Sequence, residues 1–575
     1  MNNSEVIVEF FKNKGINDFF GYQGTMIAYF VDAISRCQEV QNHSCYNEQG
    51  ASFAGCGYAQ ATDGCAVVYS TSGPGAMNLI SGIANAYYDS IPVFYITGQI
   101  NTYEYAGIKG KRQQGFQECD IVSMVRTVTK KAVQLTKEDD IQDVLDDLWV
   151  TANSGRKGPV LLDIPMNLQR TDYVNKNIRK GSTSNDLIDK NTVSDASKTI
   201  IDALNASKRP VLLIGNGLSS CAVDLLYEIA NNNRIPIVAS LLAYGKFYED
   251  NEHGFGYLGG AYGKRIANLL VAAKADLLLC FGISLCSRQV GFKRDSKPIK
   301  VKVIRMDIDQ FELERSVSED EIHFCIDAGA VVEDLSKRDI PVFEEWHSVA
   351  DMCRDYLDDF DLQDVERYPN RLLKSVTDYL GDNVTYVGDV GQNMMWLAQS
   401  ITKKKGQRLF FSGGHGAMGY ALPAAIGVSI ADRHRKVVCV AGDGGFQMNI
   451  QELQWVAREQ LPIKILVMNN NALGMIRFLQ SDYFQDRYEG TTDYENSYIP
   501  CNFAKVAEAY GIPSKKYMYD DYTGIKKELD LEGPMLIEIV LPNDTASLPK
   551  TFLGREVYDQ RTYIPREKLD WLLKL

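Results

Sequence analysis

The chain has 575 residues, enough for several domains, and its 45% apolar and 23% charged residues are ordinary for a soluble globular protein. A formal net charge of −13 argues against nucleic acid and against an anionic membrane surface as partners. No apolar run reaches the length of a membrane span, and the start, Met1-Asn-Asn-Ser4, lacks the basic and apolar regions of a secretion signal. The twelve cysteines include no Cys-x-x-Cys pair and the six histidines show no metal-ligating spacing, so zinc is not expected. The expectation is a cytoplasmic protein with reduced thiols, whose chemistry rests on oxygen and backbone groups.

Helix patterns and short apolar strands alternate over the first third, as in an α/β sheet domain. The segment from Val6 to Lys14 reads as a helix stopped at Gly15, and Phe19-Phe-Gly-Tyr-Gln-Gly24 as a strand entering a glycine turn. Glu48 then stands at the mouth of a helix rich in small residues, where the helix dipole by itself favours a carboxylate. Cys65 to Ser70 is a buried strand running into Gly73-Pro-Gly75 and a helix, and Ile91 to Gln99 is another strand. Gly115-Phe-Gln-Glu118 is a loop, and Lys157 to Pro165 a last strand. The polar stretch from Thr171 to Asn191 reads as a linker, which gives a first domain of residues 1–178.

A central domain is expected over 192–341. Pro210-Val-Leu-Leu-Ile-Gly215-Asn-Gly217 resembles half of a dinucleotide fingerprint without its third glycine. Six-stranded α/β packing is expected, with strands from Ala275 to Gly282 and from Val301 to Asp309. A charged helix from Glu344 to Arg367 leads to a third domain, 368–545, and an arm over residues 546–575. In that third domain Asn383 to Trp396 reads as strand, glycine turn and helix, and carries Gln392 and Asn393.

The chain is organised around Gly442-Asp443-Gly444-Gly445, with a second element at Asn469-Asn470-Asn471. Lys436 to Ala441 and Ile463 to Met468 read as buried strands, so Asp443 and Asn470 each fall at a strand's carboxyl end. In a doubly wound parallel sheet that edge is where ligands bind. One carboxylate and one amide carbonyl are hard oxygen ligands suited to Mg²⁺ shared with a diphosphate, and the glycines allow close backbone approach. The Asn449 to Glu459 stretch is expected to be the helix that follows.

These paired elements resemble the signature of the thiamine-diphosphate (ThDP) enzymes, and the likeness to the acetolactate synthase branch covers nearly the whole chain. The resemblance implies three doubly wound α/β domains: pyrimidine-binding, central and diphosphate-binding. It implies that Asp443, Asn470 and the Ala472 carbonyl hold Mg²⁺ against the diphosphate, beside Gly442, Gly444 and Gly445. Glu48 would hydrogen-bond the aminopyrimidine of ThDP and so activate the cofactor, and Gln392 and Asn393 would touch the diphosphate. In Ser412-Gly-Gly-His-Gly416-Ala-Met418-Gly419, the Gly416 carbonyl would accept from the 4′-amino group and Met418 would wedge between the two rings. Phe116 and Gln117 would border the reacting carbons, and Met475 the acceptor pocket.

In the synthase branch the central domain carries FAD. Gly260-Ala-Tyr-Gly263 and Arg288 resemble the flavin-contacting stretches, with Gly215 and Gly217 as the partial fingerprint. The shared site implies a homodimer or homotetramer acting on a small 2-keto acid. Several positions depart from the pattern, among them Gln23, Asn47, Asn393 and His415, and Leu479 stands where the biosynthetic synthases have tryptophan. Those changes leave three outcomes open: acetolactate formation, the same donor chemistry with another ketone such as a nucleotide-linked ketosugar, or simple 2-keto acid decarboxylation.

Overall fold

The computed structural model describes residues 1–104, 111–175, 189–291, 297–493, 497–552 and 554–575. Most of the expected 171–191 linker, including the boundary at 178, lies outside the described residues. Among the described residues the strands form three parallel six-stranded sheets. The first holds β1 (Asp18–Gly21), β2 (Gln41–Ser44), β3 (Ala66–Ser70), β4 (Val93–Gln99), β5 (Lys131–Gln134) and β6 (Val160–Pro165), in the order β2-β1-β3-β4-β6-β5. The second holds β7 (Pro210–Ile214), β8 (Ile237–Ala239), β9 (Gly254–Tyr257), β10 (Leu277–Phe281), β11 (Lys302–Asp307) and β12 (Glu321–Cys325), in the order β12-β11-β10-β7-β8-β9. The third holds β13 (Val384–Gly388), β14 (Arg408–Phe411), β15 (Lys436–Gly442), β16 (Ile463–Asn469), β17 (Ser514–Met518) and β18 (Met535–Val540), in the order β14-β13-β15-β16-β18-β17.

Counted within each domain, the first and third sheets share one strand order, and the central sheet has the order of a dinucleotide-binding sheet. The inner strands read as continuous apolar runs because helices cover both faces; β3, β4, β7, β10 and β16 are buried at every residue. Within the sheets the winding reverses between β1 and β3, between β7 and β10, and between β13 and β15. The crevices above these points lie at the carboxyl ends of the strands.

The first and third domains meet through two helices of small residues, Glu48–Thr62 and Ala421–Ala431. Gly57 faces the Ala424 carbonyl, and Gly427 faces that of Ala54, each too closely for a Cβ. That approach explains why the Glu48 helix is rich in small residues. The C-terminal arm lies against the central domain: Arg265 donates to the carbonyls of Gln560 (3.0 Å) and Thr562 (2.9 Å), and Lys274 to that of Leu572 (2.8 Å). No helix among the described residues is long and apolar enough to cross a membrane.

Candidate active site

Asp443 and Asn470 sit one residue beyond the ends of neighbouring strands, since β15 and β16 pair in parallel with Gly442 opposite Met468. The helix after β15 begins at Asp443 itself and runs to Met448, earlier than the expected start at Asn449. Gly444 and Gly445 therefore lie in its first turn. Helix propensity disfavours them there, but a Cβ on Gly444 would strike Leu473 and one on Gly445 would strike the Asp389 carboxylate.

The Asp443 side chain is buried and accepts from the N–H groups of Gly444 (2.9 Å) and Ala472 (3.1 Å). The second bond ties the two sequence elements together. Burial pushes the Asp443 carboxyl up to about 7 despite those donors. The Asn470 amide nitrogen donates to Gln392 Oε1 at 2.9 Å, so its carbonyl oxygen is the atom left for a ligand. Asn471 takes the left-handed conformation at φ 54°, one that asparagine tolerates, and its N–H is held by Asn469 at 3.0 Å. Asn543 donates to the carbonyls of Asn470 (3.4 Å) and Asn471 (2.9 Å) but not to that of Ala472. One under-compensated carboxylate and two oxygens without protein donors among the described residues fit a divalent cation with a preference for oxygen.

Around this turn stand the other residues expected to hold the cofactor. Gln392 begins a helix and divides its amide between Asn470 and the Thr545 carbonyl (2.8 Å). Asn393 turns inward, donating to the carbonyls of Asp389 (2.8 Å) and Val440 (3.2 Å). Gly416 (φ 71°) and Gly419 (φ 82°) give the segment between them two left-handed bends. Met418, 37% exposed at its crest, reaches toward Gly444, with its Cε 3.3 Å from where a Cβ would stand. Met475 is half-buried in the following helix, Gly474–Tyr483.

Glu48 is the first residue of its helix, capped by Asn47, whose side chain accepts from the Gln49 N–H. Its carboxylate is buried and accepts from Asn78 Nδ2 at 2.9 Å, while Gly75 leaves it space. Glu452 of the third domain props the entry to this helix, accepting from the Tyr46 N–H at 3.2 Å. Within one chain, no hydrogen bond or ion pair among the described residues joins Glu48 or Asn78 to Asp443, Asn470 or Ala472. Phe116 is 77% exposed, next to Gln117 at φ 62°, whose carbonyl approaches Gly73.

In the central domain the Gly215 and Gly217 N–H groups are held by the carbonyls of Phe281 (2.9 Å) and Gly282 (3.1 Å). Lys246 lies on the carbonyls of Asn216 (3.2 Å) and Leu218 (2.8 Å), and burial brings its ammonium down to about 8. In this conformation the glycine turn offers a diphosphate neither N–H. Gly260 donates to the Arg288 carbonyl at 2.7 Å, and the Gly263 carbonyl accepts from Gln560 at 3.0 Å. The Arg288 guanidinium crosses to the third domain and donates to the Gly413 carbonyl at 2.8 Å, beside the Met418 segment.

Sequence spacing alone does not mark Asp389, although Gly388-Asp389 at the end of β13 repeats Gly442-Asp443 at the end of β15. Nor does it mark Asn78, the partner of Glu48.

Three family models match this chain: "Thiamine pyrophosphate enzyme, N-terminal TPP binding domain" over residues 1–124, the central domain over 197–335, and the C-terminal TPP binding domain over 389–539. The chain therefore belongs to the thiamine pyrophosphate enzymes and is a thiamine-diphosphate-dependent enzyme. Its similarity to acetolactate synthases spans nearly its whole length. It is 32% identical over 570 residues to acetolactate synthase 1, chloroplastic, of Oryza sativa subsp. japonica, covering 95% of this chain and 85% of that protein. It is 32% identical over 547 residues to the acetolactate synthase isozyme 2 large subunit of Escherichia coli (strain K12), covering 94% and 95%. The large subunit of Lactococcus lactis subsp. lactis (strain IL1403) is 30% identical over 558 residues, covering 95% and 93%.

Proposed function

We propose that this enzyme is a Mg²⁺-dependent carboligase that decarboxylates pyruvate and passes the two-carbon acyl unit to a second 2-keto acid. With pyruvate as acceptor the product is 2-acetolactate. The observation that carries this reading is the pair of complementary half-sites: the Asp443–Asn470–Ala472 turn, and a buried Glu48 at a helix start. Thiamine diphosphate, when bound, supplies the carbon nucleophile that receives the acyl unit.

Asp443, Asn470 and the Ala472 carbonyl would hold Mg²⁺ beside the diphosphate. Glu48 would hold a proton at the aminopyrimidine N1′, the acid–base work for which a buried carboxylate is suited. Gly416 and Met418 would seat the cofactor's rings, and Phe116 and Gln117 would border the substrate. Because no hydrogen bond or ion pair among the described residues joins the two half-sites within one chain, we assign them to facing subunits of a homodimer or homotetramer. The exposure of Phe116 supports that assignment.

The test is product analysis with pyruvate as sole substrate: acetolactate and CO₂ support the reading, and acetaldehyde alone replaces it with a decarboxylase. A second acceptor, a larger ketone such as a nucleotide-linked ketosugar, is favoured by one observation. Leu479 is 43% exposed on the Gly474–Tyr483 helix, a smaller side chain than tryptophan beside the acceptor. CO₂ release from pyruvate that depends on such a ketone would favour that version. The reading extends to FAD in the central domain, on its strand order and Arg288. A purified protein that stays colourless after incubation with FAD removes that part alone.

A further inference from the structure

Asp389 lies at the carboxyl end of β13, across the reversal point from Asp443, and is fully buried. Its backbone is fixed from below, with its N–H donating to the Val440 carbonyl at 2.9 Å and its own carbonyl accepting from Asn393 at 2.8 Å. The carboxylate faces the other way. Oδ1 accepts from the Gly419 N–H at 3.1 Å and Oδ2 from the Ala421 N–H at 2.9 Å. Gly445, in the first turn of the Asp443 helix, packs so closely on Oδ1 that no Cβ would fit.

One anion thus fastens the downstream side of the Met418 turn and sets its distance from the Asp443–Gly444 turn. The upstream side is fastened independently: the Gly416 N–H donates to the Ser412 carbonyl (3.1 Å), and the Ala417 N–H to Ser412 Oγ (2.9 Å). Between these anchors lie two left-handed glycines, a backbone free to swing unless both ends are held. Both oxygens of this buried carboxyl meet backbone N–H donors, and an amide in its place would turn a donor toward a donor.

We infer that Asp389 is a positioning residue: it holds Met418 and the Gly416 carbonyl at the height where they meet the cofactor's rings, without touching the cofactor itself. This rests on the function proposed above. It predicts a separation between holding the cofactor and activating it, because the metal turn has its own supports.

The test compares full-length wild type with Asp389→Asn. The readouts are Mg²⁺–ThDP affinity by calorimetry, near-ultraviolet dichroism of the bound cofactor, and exchange of its C2 proton for deuterium after rapid quench. Affinity within about 3-fold of wild type, an altered dichroic band and exchange at least about 10-fold slower are expected, about the size of one lost charge-assisted contact. Exchange at the wild-type rate in a variant that binds ThDP overturns the inference. Should Asp389→Asn fail to fold, Asp389→Ser, which keeps an oxygen acceptor, takes its place with the same readouts. If both variants unfold, the carboxylate belongs to folding and the positioning role is refuted. If wild type itself binds no ThDP, the proposed function fails first, and the two failures are told apart.

Discussion

The first and third domains are the same sheet put to two uses. Their strand orders are identical, and each reverses between its first and third strands, yet the side chains at those strand ends differ. In the third domain both strands flanking the reversal end in Gly-Asp, giving Asp389 and Asp443, and burial pushes each carboxyl up to about 7. In the first domain the corresponding ends are closed by neutral groups: Gly24 lies against Thr71 and Gly21 against Tyr69. The carboxylate proposed to act there, Glu48, comes instead from the helix after the edge strand β2. Strand order decides where a crevice opens, and a few terminal residues decide whether it grips a charged group or presents a single acid.

The comparison breaks most visibly if Asp443 and Glu48 turn out to be interchangeable. Asp443→Ala should weaken Mg²⁺-dependent ThDP binding by at least about 100-fold, as loss of a metal ligand would, read by calorimetry with and without chelator. Glu48→Gln should bind ThDP nearly normally and lose about 100-fold or more in turnover, the usual worth of an acid–base group. Similar binding losses in both variants would erase the distinction between the two domains.

The surface where the domains meet can be tested as well. Gly427→Val forces a side chain against the Ala54 carbonyl and should cost about 1–3 kcal/mol, seen as a lower melting temperature of the full chain.

The smallest effect concerns His43, buried on β2 between Asp18 (2.8 Å) and Glu459 of the third domain (3.2 Å). Burial works to lower its pKa, but the two carboxylates prevail and raise it. Burial likewise opposes ionisation of Glu459, and the hydrogen bond from His43 overcomes it, bringing that carboxyl down to about 2. A raised histidine stabilises the fold fully below its unfolded pKa, near 6.5, and that contribution disappears as pH climbs through the raised folded value. Chemical denaturation at pH 6 and pH 9 should show a decline, on the order of 1 kcal/mol, that His43→Gln lacks. An unchanged pH dependence in the variant would remove His43 as its source.

The architecture was readable because buried parallel strands announce themselves as apolar runs with glycine and acid at their ends. Lys436–Gly442 and Ile463–Asn469 could be placed almost to the residue for that reason. The helix after Gly442 starts earlier than its sequence suggests because Gly444 and Gly445, poor helix formers, are retained for space against Leu473 and Asp389. Asp389 escaped notice because its partners are backbone N–H groups, which leave no mark on side-chain spacing. Asn78 is a distant partner of Glu48, and only the turn at Gly73–Gly75 brings it near.

The glycine-lined crossing of the Glu48 and Ala421 helices carries one more implication. Two backbones in van der Waals register cannot slide or hinge apart without opening a void, so the first and third domains of the chain are held as one block. The Gly474–Tyr483 helix is held by lighter contacts. Lys550 of the C-terminal arm moors that helix, 2.6 Å from Asp482 and with Phe478 and Phe552 beneath its ammonium. Shortening the tail should therefore loosen this helix while leaving the Glu48–Ala421 crossing intact.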